Sequence, residues 1–379
     1  MSVPLLTILA SLDPLVRERA VTAAMCRASE LVVVRHELTT LPVDGCVHRV
    51  VQRDGVPEEA VLPVDSGCCL SCLLREDTQS ALAGLGGRRV LLVLPPTVEP
   101  GSVAVGLEDT GVAQVTAIVA AVDAARLESR LGSASSLDVL EELGDDPRTL
   151  AEVQARQLDH ADAVVHAGVT EREAALVAAL SGDVPRCPVD DPGWLSAGRH
   201  DHRRFRASLQ PGVPRPSHVV HHDGVEHRRW SRRRPLHAQR LMDLLEGGEV
   251  DGLVRAHGWL WVASRPATVL ELEAAGGGYE LAVVDAWLDA VDDHTPAHPG
   301  RVEHAIRTWH PYYGDRGQDL ALTSLDRDLD DVIARLDACL LTDEELAEGQ
   351  DAWRGRPDPL TPWLGDEAEL LDTQPEERR

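Results

Sequence analysis

The 379-residue chain contains no lysine and no asparagine. Chemistry that needs an amine nucleophile, a lysine amine on a phosphate or an asparagine amide is thereby excluded. All 37 residues in the Lys+Arg count are arginine, with 16 His beside them. Aromatic residues make up 3% of the chain, with a single Phe, so aliphatic packing must dominate. No stretch approaches the roughly 18 uninterrupted apolar residues of a membrane span. The opening "MSVPLLTILASLDP" has no basic region before its short apolar run, and a cytoplasmic protein is expected. No G-x-S-x-G motif occurs, which argues against a hydrolase built on a nucleophile elbow.

Acids outnumber the arginines. With 63 Asp and Glu the net charge is -26 and the pI is near 4.9, which disfavours non-specific binding to nucleic acid or an anionic membrane. Hydrophobic content of 43% and charged content of 26% fit a folded globular protein. The length favours two domains. Seven cysteines is an odd count and three of them crowd into 68 to 72, a pattern of thiols or metal ligands rather than of a disulfide scaffold.

Short Val/Leu/Ile runs alternate with helical periodicity through residues 1–192. Strands are predicted at 4–10, 30–38, 88–96, 115–124 and 162–168, with helices at 14–28, 71–84, 146–160 and 170–181, giving a doubly wound α/β domain on a parallel sheet. Residues 193–216 read as a linker. Residues 217–350 read as a small α+β domain, with one long helix from 328 to 349. Residues 351–379 read as an acidic mobile tail.

Four stretches carry chemistry. After the first strand, "TILASLDPLVRERAV" has no glycine in residues 4–44 and an acid, Asp13, where a phosphate would sit, so the turn reads as a capped helix start rather than a phosphate cradle. In "SGCCLSCLLRED", residues 66–77, thiolates three apart at a helix start can grip an ion, run redox chemistry under a lowered pKa, or lie inert at a turn. Histidines cluster at His200 and His202 around Asp201, and at His218, His221, His222 and His227, as ion ligands or as a solvated linker. Residues 199–240 hold 11 Arg against three acids, and the run Arg228, Arg229, Arg232, Arg233, Arg234 suits an RNA or acidic partner, or a self-paired face.

These features together resemble the CobW-like family of metal-handling P-loop GTPases over most of residues 3–345. Arg234, Pro235, His237 and Arg240 fit the family's R-P-x-H-x-x-R helix start; Gly258, Trp261 and Arg265 fit its next strand; Gly314, Asp315 and Arg316 fit its closing strand. The resemblance implies a degenerate GTPase-like domain followed by a CobW C-terminal α+β domain. The family's Walker A loop falls on residues 10–17 without its Lys or glycines. Its E-x-x-G falls on Val93 to Pro96, and its N-K-x-D on His166 to Val169. Asp123 alone keeps a nucleotide-site position, so GTP and Mg²⁺ binding is doubtful and hydrolysis is not expected. Aligned on Leu74 to Asp77, the family's C-x-C-C implies zinc ligation by Cys69 and Cys72, with Cys68 as auxiliary and Ser71 as a lost ligand. The implied role is zinc homeostasis, acting on a metal-dependent client. The alternatives are a zinc-responsive adaptor bringing a hibernation factor to the ribosome, and a GTPase with an unconventional phosphate loop.

Overall fold

The computed structural model describes residues 2–64, 70–137, 148–196, 198–215, 218–247, 253–292, 294–295 and 297–367, apart from the side chains of Pro42 and Ser71. The chain divides into two compact units, Met1–His202 and Arg203–Arg379.

In the first unit the elements run β1 (Leu5–Ala10), α1 (Pro14–Arg27), β2 (Val32–Glu37), α2 (Leu41–Asp44), β3 (Cys46–Arg53), β4 (Val56–Pro63), α3 (Leu70–Leu82), β5 (Arg89–Val93), α4 (Pro100–Asp109), β6 (Gln114–Asp123), α5 (Ala124–Leu131), α6 (Leu150–Asp159), β7 (Ala163–Ala167), α7 (Glu171–Ser181) and β8 (Arg186–Pro188). Among the described residues they form one sheet in the order β4-β3-β2-β5-β1-β6-β7-β8. The strands from β2 to β8 pair in parallel. Central strands such as "LLTILA" and "RVLLV" are apolar on both faces because helices cover both. The predicted doubly wound parallel sheet is thus observed, with an addition: β3 and β4 form an antiparallel hairpin on its edge. Asp54 and Gly55 both take positive φ, as a two-residue type I′ turn requires.

In the second unit, α8 (His202–Ser208), which begins at the boundary, leads to β9 (Val220–His222), β10 (Val225–Arg232), α9 (Ala238–Glu246), β11 (Leu253–Val262), β12 (Arg265–Ala275), β13 (Gly278–Ala286), α10 (Pro299–Thr308), β14 (Gln318–Leu325), α11 (Leu329–Ala338), α12 (Asp343–Ala347), α13 (Gln350–Arg354) and α14 (Thr361–Leu364). The strands form an antiparallel sheet ordered β13-β12-β11-β14-β10-β9. Leucines of α9 and α11 pack with Leu260, Leu270 and Leu320 of the sheet in one core. Trp259, Trp261, Trp287 and Trp353 form a second. This is the expected α+β unit.

Three expectations need correction. The helix predicted over 328–349 is broken, because Thr342 starts α12 with a reciprocal capping box to Glu345. The linker predicted at 193–216 holds a 3-10 turn at Pro192–Ser196 as well as α8. The tail predicted to be mobile from 351 is instead packed up to 367. Trp353 and Leu360 are fully buried, Arg265 donates to Asp358 Oδ2 at 2.5 Å and to the Gly365 carbonyl at 2.6 Å, and Glu367 accepts the amides of Ala267 and Thr268. An acidic composition looked solvated, but its few apolar residues and these anchored carboxylates tie it to β12. Residues 368–379 lie outside the described set.

Gly258 carries a tight backbone constraint. Its φ is +144°, and a Cβ there would stand 2.0 Å from the Asp319 carbonyl oxygen of β14. Gly258→Ala should therefore destabilise the second unit by on the order of 3 kcal/mol, read by urea denaturation, while Gly278→Ala, whose Cβ would meet nothing closer than 3.8 Å, should cost far less.

Candidate functional site at the rim of the parallel sheet

Open parallel sheets bind ligands beyond the carboxyl ends of their strands, where the connections diverge to either side. Here that crevice lies where β1 ends at Ala10 and β6 ends at Asp123. It is lined by its own ion pair. Asp13, 4% exposed, stands at the start of α1 with Pro14 behind it, yet its carboxylate does not cap the helix. Arg130 of α5 forks onto it, one guanidinium nitrogen reaching Oδ1 at 2.5 Å and the other binding Oδ2. The Asp123 amide donates to Asp13 Oδ2 at 3.0 Å. Ser11 Oγ accepts the Asp13 amide at 3.0 Å and donates to the Ala121 carbonyl at 2.7 Å. The sequence placed Asp13 and Asp123 separately; the fold joins them through one carboxylate. Arg130 was missed, because nothing in the local sequence links α5 to the β1–α1 turn.

The Asp123 side chain makes a surface pair with Arg126 at 3.4 Å. Glu99, just beyond the segment matched to the lost E-x-x-G, binds Arg148 at 3.0 Å and Arg156 at 2.8 Å. Burial pushes the Glu99 carboxyl up, but the two guanidiniums outweigh it and hold it below the ordinary glutamate range.

The cysteine segment leads into the first turn of α3. Cys72 lies in that turn and is disulfide-bonded; Cys68 and Cys69 lie outside the described residues. A sulfur in a disulfide offers no thiolate, so ligation by Cys72 requires the reduced chain. The "LRED" that follows anchors the helix. Asp77 binds His36 Nε2 of β2 at 2.8 Å and Arg49 of β3 at 2.6 Å, while Arg75 passes over Gly106 of α4, where a Cβ would lie 2.6 Å from its Cδ. His36 is near the carboxyl end of β2, and Cys72 lies five residues before Asp77 in α3.

The arginine run reads differently in three dimensions. Arg228 pairs with Glu226 and Asp330, Arg229 with Asp319, Arg232 with Asp337 at 2.7 Å, and Arg234 with Asp343 at 2.7 Å. Arg233 donates to the carbonyls of Arg316 and Thr308. The run is thus paired within its own unit, chiefly with acids of β14 and α11. His237, matched to the R-P-x-H start, is the N-cap of α9, its Nδ1 facing the Arg240 amide at 3.5 Å. Burial lowers its pKa. Arg240 in turn holds Glu345 and the Leu340 carbonyl. The matched residues of the second unit are therefore fold determinants.

The architecture defines a class: a doubly wound α/β unit followed in the chain by an α+β unit. The family model described as the cobalamin synthesis protein cobW C-terminal domain matches residues 225–340. A protein named zinc chaperone Rv0106, from Mycobacterium tuberculosis strain H37Rv, is 31% identical over 377 residues, covering 91% of this chain and 90% of the relative. The zinc-regulated GTPase metalloprotein activator 1 of Dictyostelium discoideum is 28% identical over 176 residues, 45% of this chain and 34% of that protein. The Zn(II)-bound YjiA GTPase from E. coli matches 90% of this chain and 100% of its own at 12% identity, with a TM-score of 0.37. The chain belongs to the CobW-like family of P-loop GTPases and zinc metallochaperones. Among the described residues no helix is long and apolar enough to cross a membrane.

Two outcomes follow from the ion pairs. Arg130→Met should cost about 3 to 5 kcal/mol in urea denaturation by stranding the Asp13 charge, and adding Asp13→Leu should recover most of the loss. Glu345 is depressed from 4.5 to about 2, first by its hydrogen bond from Arg240. A depressed carboxyl stabilises the fold above its unfolded pKa and loses that contribution as pH falls through the folded value. Glu345→Gln, which keeps the capping box, should therefore lower the thermal midpoint at pH 7 and flatten the stability profile between about pH 4.5 and 2.

Proposed function

We propose that this protein is a zinc-handling member of its family that works without a nucleotide cycle. In this reading Cys69 and Cys72, assisted by Cys68, hold zinc once the Cys72 disulfide is reduced, and the ion passes to a metal-dependent client protein in the cytoplasm. The names of its relatives, a zinc chaperone and a zinc-regulated activator, support the metal. The observation that carries the loss of nucleotide binding is the Asp13–Arg130 fork. A phosphate loop must present amide hydrogens and a cation to an anion. Here the turn presents a buried carboxylate, and the nearby guanidinium is already committed to it. With no lysine in the chain, no other side chain can supply the phosphate-binding amine. The ribosome-adaptor reading rests on the arginine run, and its internal pairing removes that support.

Metal analysis of the protein purified under reducing conditions tests the thiol half. The intact chain should retain one more equivalent of zinc than the Cys69→Ser/Cys72→Ser variant; equal contents overturn the assignment. For the other half, thermal unfolding with excess GTP and Mg²⁺ should leave the midpoint unchanged. A ligand at about 100 times its dissociation constant adds about 2.7 kcal/mol, so a concentration-dependent rise would contradict the reading.

A further inference from the structure

The residues just after the 3-10 turn, which read in sequence as linker, are laid against the sheet of the first unit. The His200 amide donates to the Thr116 carbonyl at 2.9 Å, and the buried His200 ring stands 2.9 Å from Asp162 Oδ2. Gly198 permits the approach, since a Cβ there would meet the methyls of Ala117 and Ala163 at 3.2 and 3.3 Å. This segment and the sheet together bound a cavity of about 310 Å³. Leu31, Val90 and Leu195, all buried, form its apolar wall with the exposed Leu5. Leu5 and Arg89 open β1 and β5 as register partners, and Leu31 just precedes β2. The cavity therefore lies at the amino ends of the strands, the end of the sheet opposite the Asp13 crevice. Its polar lining is sparse. Thr7 Oγ1 stands 3.3 Å from Thr116 Oγ1, whose own proton goes to the Leu6 carbonyl at 2.9 Å, so of the two hydroxyls only that of Thr7 is able to turn to a ligand. Arg89 and Arg199 complete the lining; both are exposed, and neither guanidinium has a hydrogen-bond or ion-pair partner among the described residues. The adjacent Arg88, by contrast, binds Asp54 at 3.2 Å.

We propose that this cavity binds a small organic carboxylate, with its carboxyl group on Arg89 and Arg199 and its hydrocarbon body against Leu31, Val90 and Leu195. Ligand pockets of small molecules start at about 300 Å³ and combine apolar walls with a few polar groups, as this one does. Two like charges on one cavity repel each other, and in a chain with 63 Asp and Glu no described acid has been brought to them. An anion from solution supplies the missing counter-charge. A guanidinium fork matches a carboxylate with two parallel hydrogen bonds, and the Thr7 hydroxyl adds a third donor. The apolar wall decides what else the anion carries. A bare phosphate would satisfy the guanidiniums and leave the leucines wet, while a neutral hydrocarbon would do the reverse; a carboxylate on a short aliphatic chain answers both. The site uses no cysteine, so it stands or falls independently of the zinc reading.

The test titrates the full chain with butanoate, hexanoate and hexanol by saturation-transfer NMR, with inorganic phosphate as a competitor of hexanoate. Hexanoate should saturate one site, with affinity rising about fourfold for each methylene added to butanoate. Hexanol, which has the chain without the charge, and phosphate, which has the charge without the chain, should each bind at least about tenfold more weakly than hexanoate. Replacing both exposed arginines, Arg89→Gln with Arg199→Gln, should weaken hexanoate at least about tenfold with the thermal midpoint unchanged. Arg307→Gln, at an exposed arginine of the second unit, should leave the hexanoate affinity as it was. Absence of saturable hexanoate binding, hexanol or phosphate binding as tightly as hexanoate, or equal hexanoate affinity in the folded double variant overturns the site.

Discussion

The constraint on which the rest of this structure depends is that every permanent side-chain cation is a guanidinium. A guanidinium is planar, always charged, and satisfied best by a carboxylate or by several carbonyls presented to its fork. The fold answers that demand repeatedly at places where distant segments meet. Arg130 ties α5 to the β1–α1 turn, Arg49 ties β3 to α3, and Arg240 ties α9 to α12. Arg265, fully buried in β12, holds the C-terminal segment through Asp358 and the Gly365 carbonyl. The large acidic excess of the chain supplies the partners. Exposed pairs of this kind contribute little, whereas the buried ones are costly to break from one side.

The same constraint decides the character of the sheet's ligand crevice. A family built to bind a phosphate there needs amides and a mobile cation. This chain has there a carboxylate, Asp13, and a guanidinium, Arg130, bound to it. The helix that follows the cysteine segment is held by Asp77 against two strands.

Much of this was legible in the sequence. Apolar runs such as "LLTILA" revealed the buried parallel strands because burial on both faces leaves little room for polar residues. The Asp13-Pro14 helix start was readable from local chemistry. Other features were present but were not read. Asp54-Gly55, Asp223-Gly224 and Gly276-Gly277 each take positive φ between paired strands, and such dipeptides signal hairpins; the edge hairpin of the first unit and strand β12 follow from two of them. The long-range forks were not legible at all, since 117 positions separate Arg130 from Asp13 and no periodicity encodes their meeting. For the same reason the sequence left the arginine run open between a partner surface and a self-paired face, since most of its counterions lie on β14 and α11.

The central claim is that zinc binding here is uncoupled from nucleotide. Coupling between two ligands is reciprocal, so it must show in the affinity of either one. The most direct measurement is the zinc dissociation constant of the reduced chain with and without millimolar GTP and Mg²⁺, with zinc buffered by a competing chelator. The account predicts superimposable binding curves. A shift of tenfold or more in zinc affinity on adding GTP would contradict it.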